Sequence, residues 1–449
     1  MFKFPSDFTW GVATSSFQIE GAVREGGRSD SIWDTLCRRP GAIADQTNGD
    51  VACDHYHRWP EDVEIMADMG VNAYRFSVAW PRIIPTGRGA ANQAGIDFYS
   101  RLVDGLLAKG IEPCVTLYHW DLPQILEDEG GWTARSTVDA FEEYTDVMTR
   151  ALGDRVKTWV TINEPWCISV LGYVNGEHAP GIKNDWPKAL SAAHHVLLGH
   201  GRAVPIVRQN VPNAEVGITV NLVPNEPASN SALDREACRK FDGFFNRWYL
   251  DPVFGRGYPE DRIRDLVDAG QIPSATLPFL EAGDLDDIAV ESDFLGINYY
   301  SRAVIRDEDN ESNAPQEVFA TDVVTDMGWE VWPKGLEDIL VRLHAEYAPP
   351  AIQITENGCA YPTGVNAAGE VEDHRRIEYL DGHVRACARA IEHGVPLTAY
   401  YAWSLLDNFE WAFGYEKRFG LVHVDYDTLK RTPKASAHWY RSVIEAGGL

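Results

Sequence analysis

The sequence predicts an α/β protein, a single-domain (β/α)8 TIM barrel with enlarged βα loops. Three observations carry that expectation. Eight short apolar runs alternate with longer amphipathic stretches along the 449 residues. Each run reads as buried on both faces and is followed by a helical stretch, the pattern of an all-parallel sheet, and eight such units close a barrel. No Pro/Gly/Ser-rich linker, internal repeat or low-complexity tract divides the chain, so residues 1–449 are expected to form one domain.

The elements follow in order. The first strand is expected at 9–14 (TWGVAT), with a helix at 60–69 after a long loop. The second, at 73–77 (AYRFS), leads into a helix at 95–109. The third, at 112–118 (EPCVTLY), precedes a helix at 136–152. The fourth, at 158–162 (TWVTI), is followed by a helix at 186–210, and the fifth, at 215–222 (EVGITVNL), by one at 234–250. The sixth, at 294–298 (FLGIN), runs into a polar, irregular segment at 307–326, read as a long loop beside or over the site, and then a helix at 334–346. The seventh, at 352–355 (IQIT), precedes a helix at 374–393. The eighth, at 398–402 (TAYYA), precedes a closing helix at 434–446.

Bulk composition excludes some function classes. A formal net charge of −27 argues against nucleic acid and against anionic membrane surfaces as partners. Fifteen Trp suit either a large core or a protein that stacks flat rings. Seven Cys form no CxxC pair and lie in apolar or motif-like segments, as with Cys53, Cys114, Cys167 and Cys359; they read as reduced, buried thiols. The first residues lack the apolar core of a signal peptide and no apolar run reaches membrane-spanning length, so a cytoplasmic location is expected. Asn310–Glu311–Ser312 matches a glycosylation sequon, which needs a secretory route to matter.

In a barrel the strand C-termini carry the chemistry. Here they hold Gln18, Arg75, His119, Trp120, Asn163, Glu164, Asn298, Tyr300, Glu356 and Trp403. Two segments stand out, Thr161–Ile162–Asn163–Glu164–Pro165 and Ile354–Thr355–Glu356–Asn357–Gly358. Each drives a β-branched apolar run into a glutamate and stops. A buried carboxylate costs several kcal/mol unless it is paired or used. Two of them at strand ends fit the cleavage of a glycosidic bond, one protonated to expel the leaving oxygen, the other ionised to attack the sugar carbon or activate water. Close carboxylates cannot both ionise easily. Arg75, Asn298 and Tyr300 are assigned to Glu356, which stays ionised as the nucleophile, and Glu164 becomes the general acid. Asn163 is placed to donate to a sugar 2-hydroxyl. Trp403 offers a face for a pyranose, or simply packs in the core. Glu410 offers two oxygens to adjacent hydroxyls and a charge that would repel a 6-phosphate; its alternative is an ion pair with Lys417 or Arg418. His119 reads as a neutral hydroxyl donor, because the other histidines supply no metal-ligand cluster. No metal is expected. Without GxGxxG or a P-loop, no nucleotide cofactor is expected either, and no GxSxG elbow is present.

These residues together resemble glycoside hydrolase family 1, the β-glucosidases and their relatives. The likeness spans nearly the whole chain, in order through Phe8 to Gly21, Tyr74 to Trp80, Leu117 to Asp121, the two glutamate motifs, and Trp403 to Trp411. The resemblance implies a retaining exo-β-glucosidase with β-galactosyl or β-fucosyl side activity, Glu356 as nucleophile and Glu164 as acid/base. It implies that Gln18, His119, Asn163, Trp403, Glu410 and Trp411 bind the non-reducing sugar, with Trp120 and Phe419 as walls. Trp329 would stack on the aglycone, and Asn221 would reach the aglycone side. The implied partners are small β-glucosides or cello-oligosaccharides, with no cofactor, and the family allows a homo-oligomer. Cys359 departs from the small residue that relatives often carry there, and segment 307–326 has no assigned counterpart. Glu410–Trp411 is unlike the phosphate-receiving pair of the 6-phospho branch, and Glu164 is retained where the thioglucosidase branch loses it.

Overall fold

The computed structural model describes residues 2–307, 316–318 and 321–449. The Asn310–Glu311–Ser312 sequon and much of the 307–326 segment lie outside the described residues. Eight parallel strands close a barrel: β1 (Thr9–Ala13), β2 (Ala73–Ser77), β3 (Glu112–Tyr118), β4 (Thr158–Asn163), β5 (Glu215–Asn221), β6 (Phe294–Asn298), β7 (Ile352–Asn357) and β8 (Leu397–Trp403). β8 returns to β1 with Thr9 opposite Ala399 and Ala13 opposite Trp403. All eight expected strands are present, with ends moved by a residue or two. β7 runs on through Glu356 to Asn357 instead of stopping at Thr355, and β8 gains one residue at each end.

Two irregularities in the ladder fall just before the two glutamates. The β4–β5 register shifts between Val160 and Asn163, and the β6–β7 register shifts between Ile354 and Glu356. Such bulges re-aim the side chains that follow them.

Helices cover the barrel at Ser136–Leu152 and Trp186–Asn210, as expected, and at Gln93–Ala108, Pro333–Glu346, His374–Glu392 and Ala435–Ala446, close to expectation. The first begins earlier, at His55–Asp68, and carries Pro60 inside it. The expected helix 234–250 is three pieces: Ala232–Asp242, a wider π-helical turn over Gly243–Arg247, and Trp248–Val253. The wide turn presents the Asn246 amide to Val223, whose N–H and C=O it satisfies at 3.1 and 2.9 Å. The enlarged loops also form a small sheet from Asn225–Pro227, Ala303–Arg306 and Gln316–Glu317, and a pair of strands, Val422–Val424 with Arg431–Pro433. The chain thus enters segment 307–326 from a strand that ends at Arg306, and Gln316–Glu317 inside the segment pairs back onto that strand.

The core explains part of the Trp count. Trp33, Trp80, Trp132 and Trp159 are fully buried, and Trp80 stacks on Tyr144 at 4.8 Å. All seven cysteines are free, and six are buried. Among the described residues, no helix is long and apolar enough to cross a membrane.

Candidate active site

The two glutamates stand where their strands give out. Asn163 is the last residue of β4; Glu164 then turns into the left-handed region (φ 52°), and the chain winds into a π-helical segment, Cys167–Asn175. A non-glycine residue held there costs on the order of 1–3 kcal/mol and marks a constrained site. Trp120 (φ 81°) and Trp411 (φ 47°) are held in the same region. Glu356 lies inside β7, where its own carbonyl accepts from Tyr299 N at 3.0 Å.

One polar network joins them. Arg75, from β2, makes four hydrogen bonds: Nη1 donates to Glu356 Oε1 at 2.7 Å and to the Thr355 carbonyl, Nη2 to Asn163 Oδ1 at 2.6 Å, and Nε to Thr116 Oγ1 at 3.1 Å. Tyr300 Oη donates to Glu356 Oε2 at 2.6 Å. Asn298 behaves differently from the sequence expectation. Its amide donates to Glu164 Oε1 at 2.7 Å and to Asn163 Oδ1 at 3.1 Å, with only a secondary influence on Glu356. The cause is Thr355, whose hydroxyl donates to Asn298 Oδ1 at 2.8 Å and so turns the Nδ2 group toward β4. The second Glu164 oxygen, Oε2, accepts from the thiol of Cys167 at 3.0 Å.

The two carboxyls therefore have unlike surroundings. Burial pushes Glu164 up to about 7, and the Glu356 carboxylate adds to the rise; Asn298, Cys167 and the more distant Arg75 oppose it. Burial raises Glu356 as well, but the Arg75 guanidinium, bonded to it directly, and the Tyr300 phenol hold it down. Of the two, Glu164 is the better proton holder, because its direct donors carry no charge.

A third carboxyl shares the pocket. Burial, then Glu356 and Glu164, push Glu410 up to about 8. Its Oε2 accepts from Gln18 Nε2 at 3.4 Å, while that amide is anchored on Asn408 Oδ1 and the Phe409 carbonyl, both at 2.9 Å. The alternative ion pairs are taken elsewhere: Lys417 holds Asp326 at 3.2 Å and Arg418 holds Asp407 at 2.9 Å.

Aromatic rings complete the enclosure. His119 stacks between Trp403 and Trp411, each at 5.9 Å, and Trp120 lies 4.6 Å from Trp411 while its Nε1 donates to the Asn163 carbonyl. Burial holds His119 well below the ordinary imidazole value, with Arg75 and His178 adding to the effect, so the ring is neutral. Asn163 Nδ2 approaches its Nε2 at 3.1 Å. Phe419 sits 6.0 Å from Tyr300 and 6.2 Å from Trp329. Asn221, Tyr300 and Trp329 are only half-buried, and they mark the way out to solvent. All fifteen residues singled out in the sequence thus fall at one end of the barrel. Sequence reading missed Cys167, Thr116 and Thr355, which hold Glu164, Arg75 and Asn298; the signal available for Cys167 was its place three residues after Glu164 on a turn. A cleft of about 350 Å3 lined by Val253, Phe294, Tyr347 and Pro349 lies at the opposite, strand-start end and takes no part in this convergence. Among the described residues, no cluster of three or more His, Cys, Asp or Glu side chains is arranged to hold a metal ion.

Comparison with known proteins gives a consistent result. Residues 1–449 match glycosyl hydrolase family 1. Beta-glucosidase A of Acetivibrio thermocellus is 49% identical over 99% of both chains. The bifunctional beta-D-glucosidase/beta-D-fucosidase of Bifidobacterium breve is 44% identical over 98% of both. The solved family 1 β-glucosidase from Thermotoga maritima superposes with a TM-score of 0.94 at 45% identity, covering 100% of this chain and 99% of that one.

Proposed function

The chain belongs to glycosyl hydrolase family 1, and from that premise we propose how its residues divide the work of a retaining β-glucosidase. The enzyme removes terminal non-reducing β-D-glucosyl residues by double displacement. Glu356, ionised against Arg75 and Tyr300, attacks the anomeric carbon. As the bond to the aglycone breaks, Glu164 gives its proton to the departing oxygen. The glycosyl ester leaves Glu356 without charge, so the repulsion that raised Glu164 disappears and its pKa falls. Glu164 then takes a proton from the water that attacks the anomeric carbon, and Glu356 departs as carboxylate.

The supporting observation is the unequal distribution of donors: a cation and a phenol on Glu356, an amide and a thiol on Glu164. Gln18, His119, Asn163, Trp403, Glu410 and Trp411 form the glucose subsite in this reading, walled by Trp120 and Phe419. Trp329 and Asn221 serve the aglycone, which extends the substrate class from small β-glucosides to cello-oligosaccharides. The Bifidobacterium relative, named for both activities, favours β-fucosides as second substrates. The reading treats residues 1–449 as one catalytic unit, working in the cytoplasm in keeping with seven free cysteines.

The test is Glu356→Ala assayed on an aryl β-glucoside. Turnover is expected to vanish, and azide is expected to restore part of it with an α-configured product. Full turnover by the variant would discard the assignment.

A further inference from the structure

Cys167 is a buried thiol that the reaction scheme leaves unused, yet it touches the carboxyl that must carry the proton. Glu164 has two oxygens with different partners. Oε1 accepts from the Asn298 amide at 2.7 Å, a strong and well-oriented donor. Oε2 accepts from Cys167 Sγ at 3.0 Å. The direction of the thiol is fixed from its other side, because Asn221 Nδ2 lies 3.6 Å from the sulfur and can only donate to it. The sulfur accepts from Asn221, and its S–H points at Glu164. The placement follows from the chain: after the left-handed turn at Glu164, Ile168 N reaches back to the Glu164 carbonyl at 3.3 Å, and the wide π-helical segment begins at Cys167. Segments of this kind recur at functional sites.

A thiol is a weak hydrogen-bond donor, and an amide is a stronger one. The oxygen facing the weaker donor keeps more of its basicity. We propose that Cys167 is a positioning residue for the acid/base step: its thiol seats Oε2 of Glu164 lightly, so that Oε2, and not the amide-bonded Oε1, carries the proton handed to the leaving oxygen and later taken from water. The thiol keeps its own proton throughout, since burial first, and then the neighbouring Glu164, hold it well above the ordinary thiol value. The proposal rests on Glu164 being the acid/base.

The other groups facing Glu164 are Arg75 from β2, Asn298 from β6, Tyr300 beyond it, Glu356 from β7 and Glu410 from the loop after β8. None of them bonds Oε2, so a change at Cys167 reads out on that oxygen. The experiment measures kcat/KM against pH for the full-length enzyme, Cys167→Ala and Cys167→Ser, each checked for fold by thermal melting. A donor to a carboxylate lowers its pKa, so Cys167→Ala is expected to move the basic limb up by about half a pH unit or more. Cys167→Ser restores a donor and is expected to bring the limb back to the parent position or below it. In the same Ala variant, an alkyl β-glucoside, whose leaving group needs the proton, is expected to lose about fivefold more activity than a dinitrophenyl β-glucoside, which does not. A purely structural thiol would alter melting and both substrates alike. Folded Ala and Ser variants whose basic limbs coincide with the parent's, or whose losses are equal for the two leaving groups, would overturn the proposal. Glu164→Ala run alongside separates the two levels of inference: if it hydrolyses the alkyl glucoside at the parent rate, the assignment of Glu164 falls and not only that of Cys167.

Discussion

Removing the phenol of Tyr300 isolates the group that most cleanly separates the two glutamates. Tyr300 Oη donates to Glu356 Oε2 at 2.6 Å, short enough for a charge-assisted bond, while Arg75 serves Oε1. A hydrogen bond to a charged group contributes about 1.5–3 kcal/mol. Tyr300→Phe should therefore raise the pKa of Glu356 by about 1–2 units, at 1.36 kcal/mol per unit. The sign follows from the role. In the proposed mechanism the free enzyme needs Glu356 ionised, so activity is lost as pH falls through its pKa, and the acid limb of kcat/KM should move up by that amount. The basic limb, set by Glu164, should move much less, since Tyr300 does not bond Glu164. The window between the limbs narrows, and turnover at the optimum falls by roughly ten- to a hundredfold. Deglycosylation should slow most, because the ester it breaks would release a less stabilised carboxylate. The assay is kcat/KM for an aryl β-glucoside from acid to alkaline pH, paired with a burst experiment that shows whether the glycosyl-enzyme accumulates. An acid limb that stays in place in a folded Tyr300→Phe variant would refute the claim that this phenol holds the nucleophile ionised.

Three further outcomes follow from the same geometry. Glu164→Ala should cut hydrolysis of cellobiose far more than of a dinitrophenyl β-glucoside, by at least about 100-fold in relative kcat/KM, with added azide giving a β-glucosyl product; equal losses would contradict general-acid help from Glu164. A 6-phosphoglucoside should be rejected by about 100-fold or more relative to the parent sugar, because Arg75, Lys417 and Arg418 are already committed to Glu356, Asp326 and Asp407; comparable kcat/KM values would show that a cation can be freed. Lys434→Met should cost about 3 kcal/mol in denaturant-measured stability, because it leaves Asp407, buried within the Trp403–Trp411 segment, without the 2.8 Å partner that accompanies Arg418; an unchanged midpoint would mean that Arg418 alone suffices.

The barrel was legible because its strands are buried on both faces, and β-branched apolar runs such as TWVTI and IQIT have no other stable place in a chain of this pattern. Strand ends were harder to read, since polar residues there belong to both the strand and the site: β7 continues through Glu356 and Asn357. The π-helical turns at Cys167–Asn175 and Gly243–Arg247 were invisible, because segments of 9 and 5 residues are too short for their apolar repeat to be told from that of an α-helix. The small sheet with Asn225–Pro227 escaped because two- to four-residue strands carry no periodicity. Within the site, residue types and their common end of the barrel were readable, and hydrogen-bond partners were not. Asn298 was assigned to Glu356, and only the Thr355 hydroxyl, a side chain inside an apolar run, reveals why its amide turns toward Glu164.

Burial alone would have made the two glutamates alike, since both are enclosed and both are raised by desolvation. What separates them is the chemistry of their donors, and that is set by neighbouring strands. β2 delivers a permanent cation to Glu356 and, through the other arm of the same guanidinium, fixes the Asn163 oxygen beside Glu164. That second bond matters as much as the first. By occupying Asn163 Oδ1, Arg75 orients the amide that approaches His119, while its charge acts on Glu164 only from a distance, without a direct bond. With burial raising Glu164 and Glu410 to about 7 and 8, and with Arg75 and Tyr300 opposing the rise at Glu356, the proposed mechanism needs only one ionised carboxylate in the free enzyme, matched to one guanidinium. In that mechanism the attack on the sugar consumes the single negative charge, and the departure of the aglycone creates the next one on Glu164. A site that never has to hold two adjacent carboxylates at full charge can be buried as deeply as this one is, and that burial is what keeps the competing proton donor, bulk water, away from the leaving oxygen.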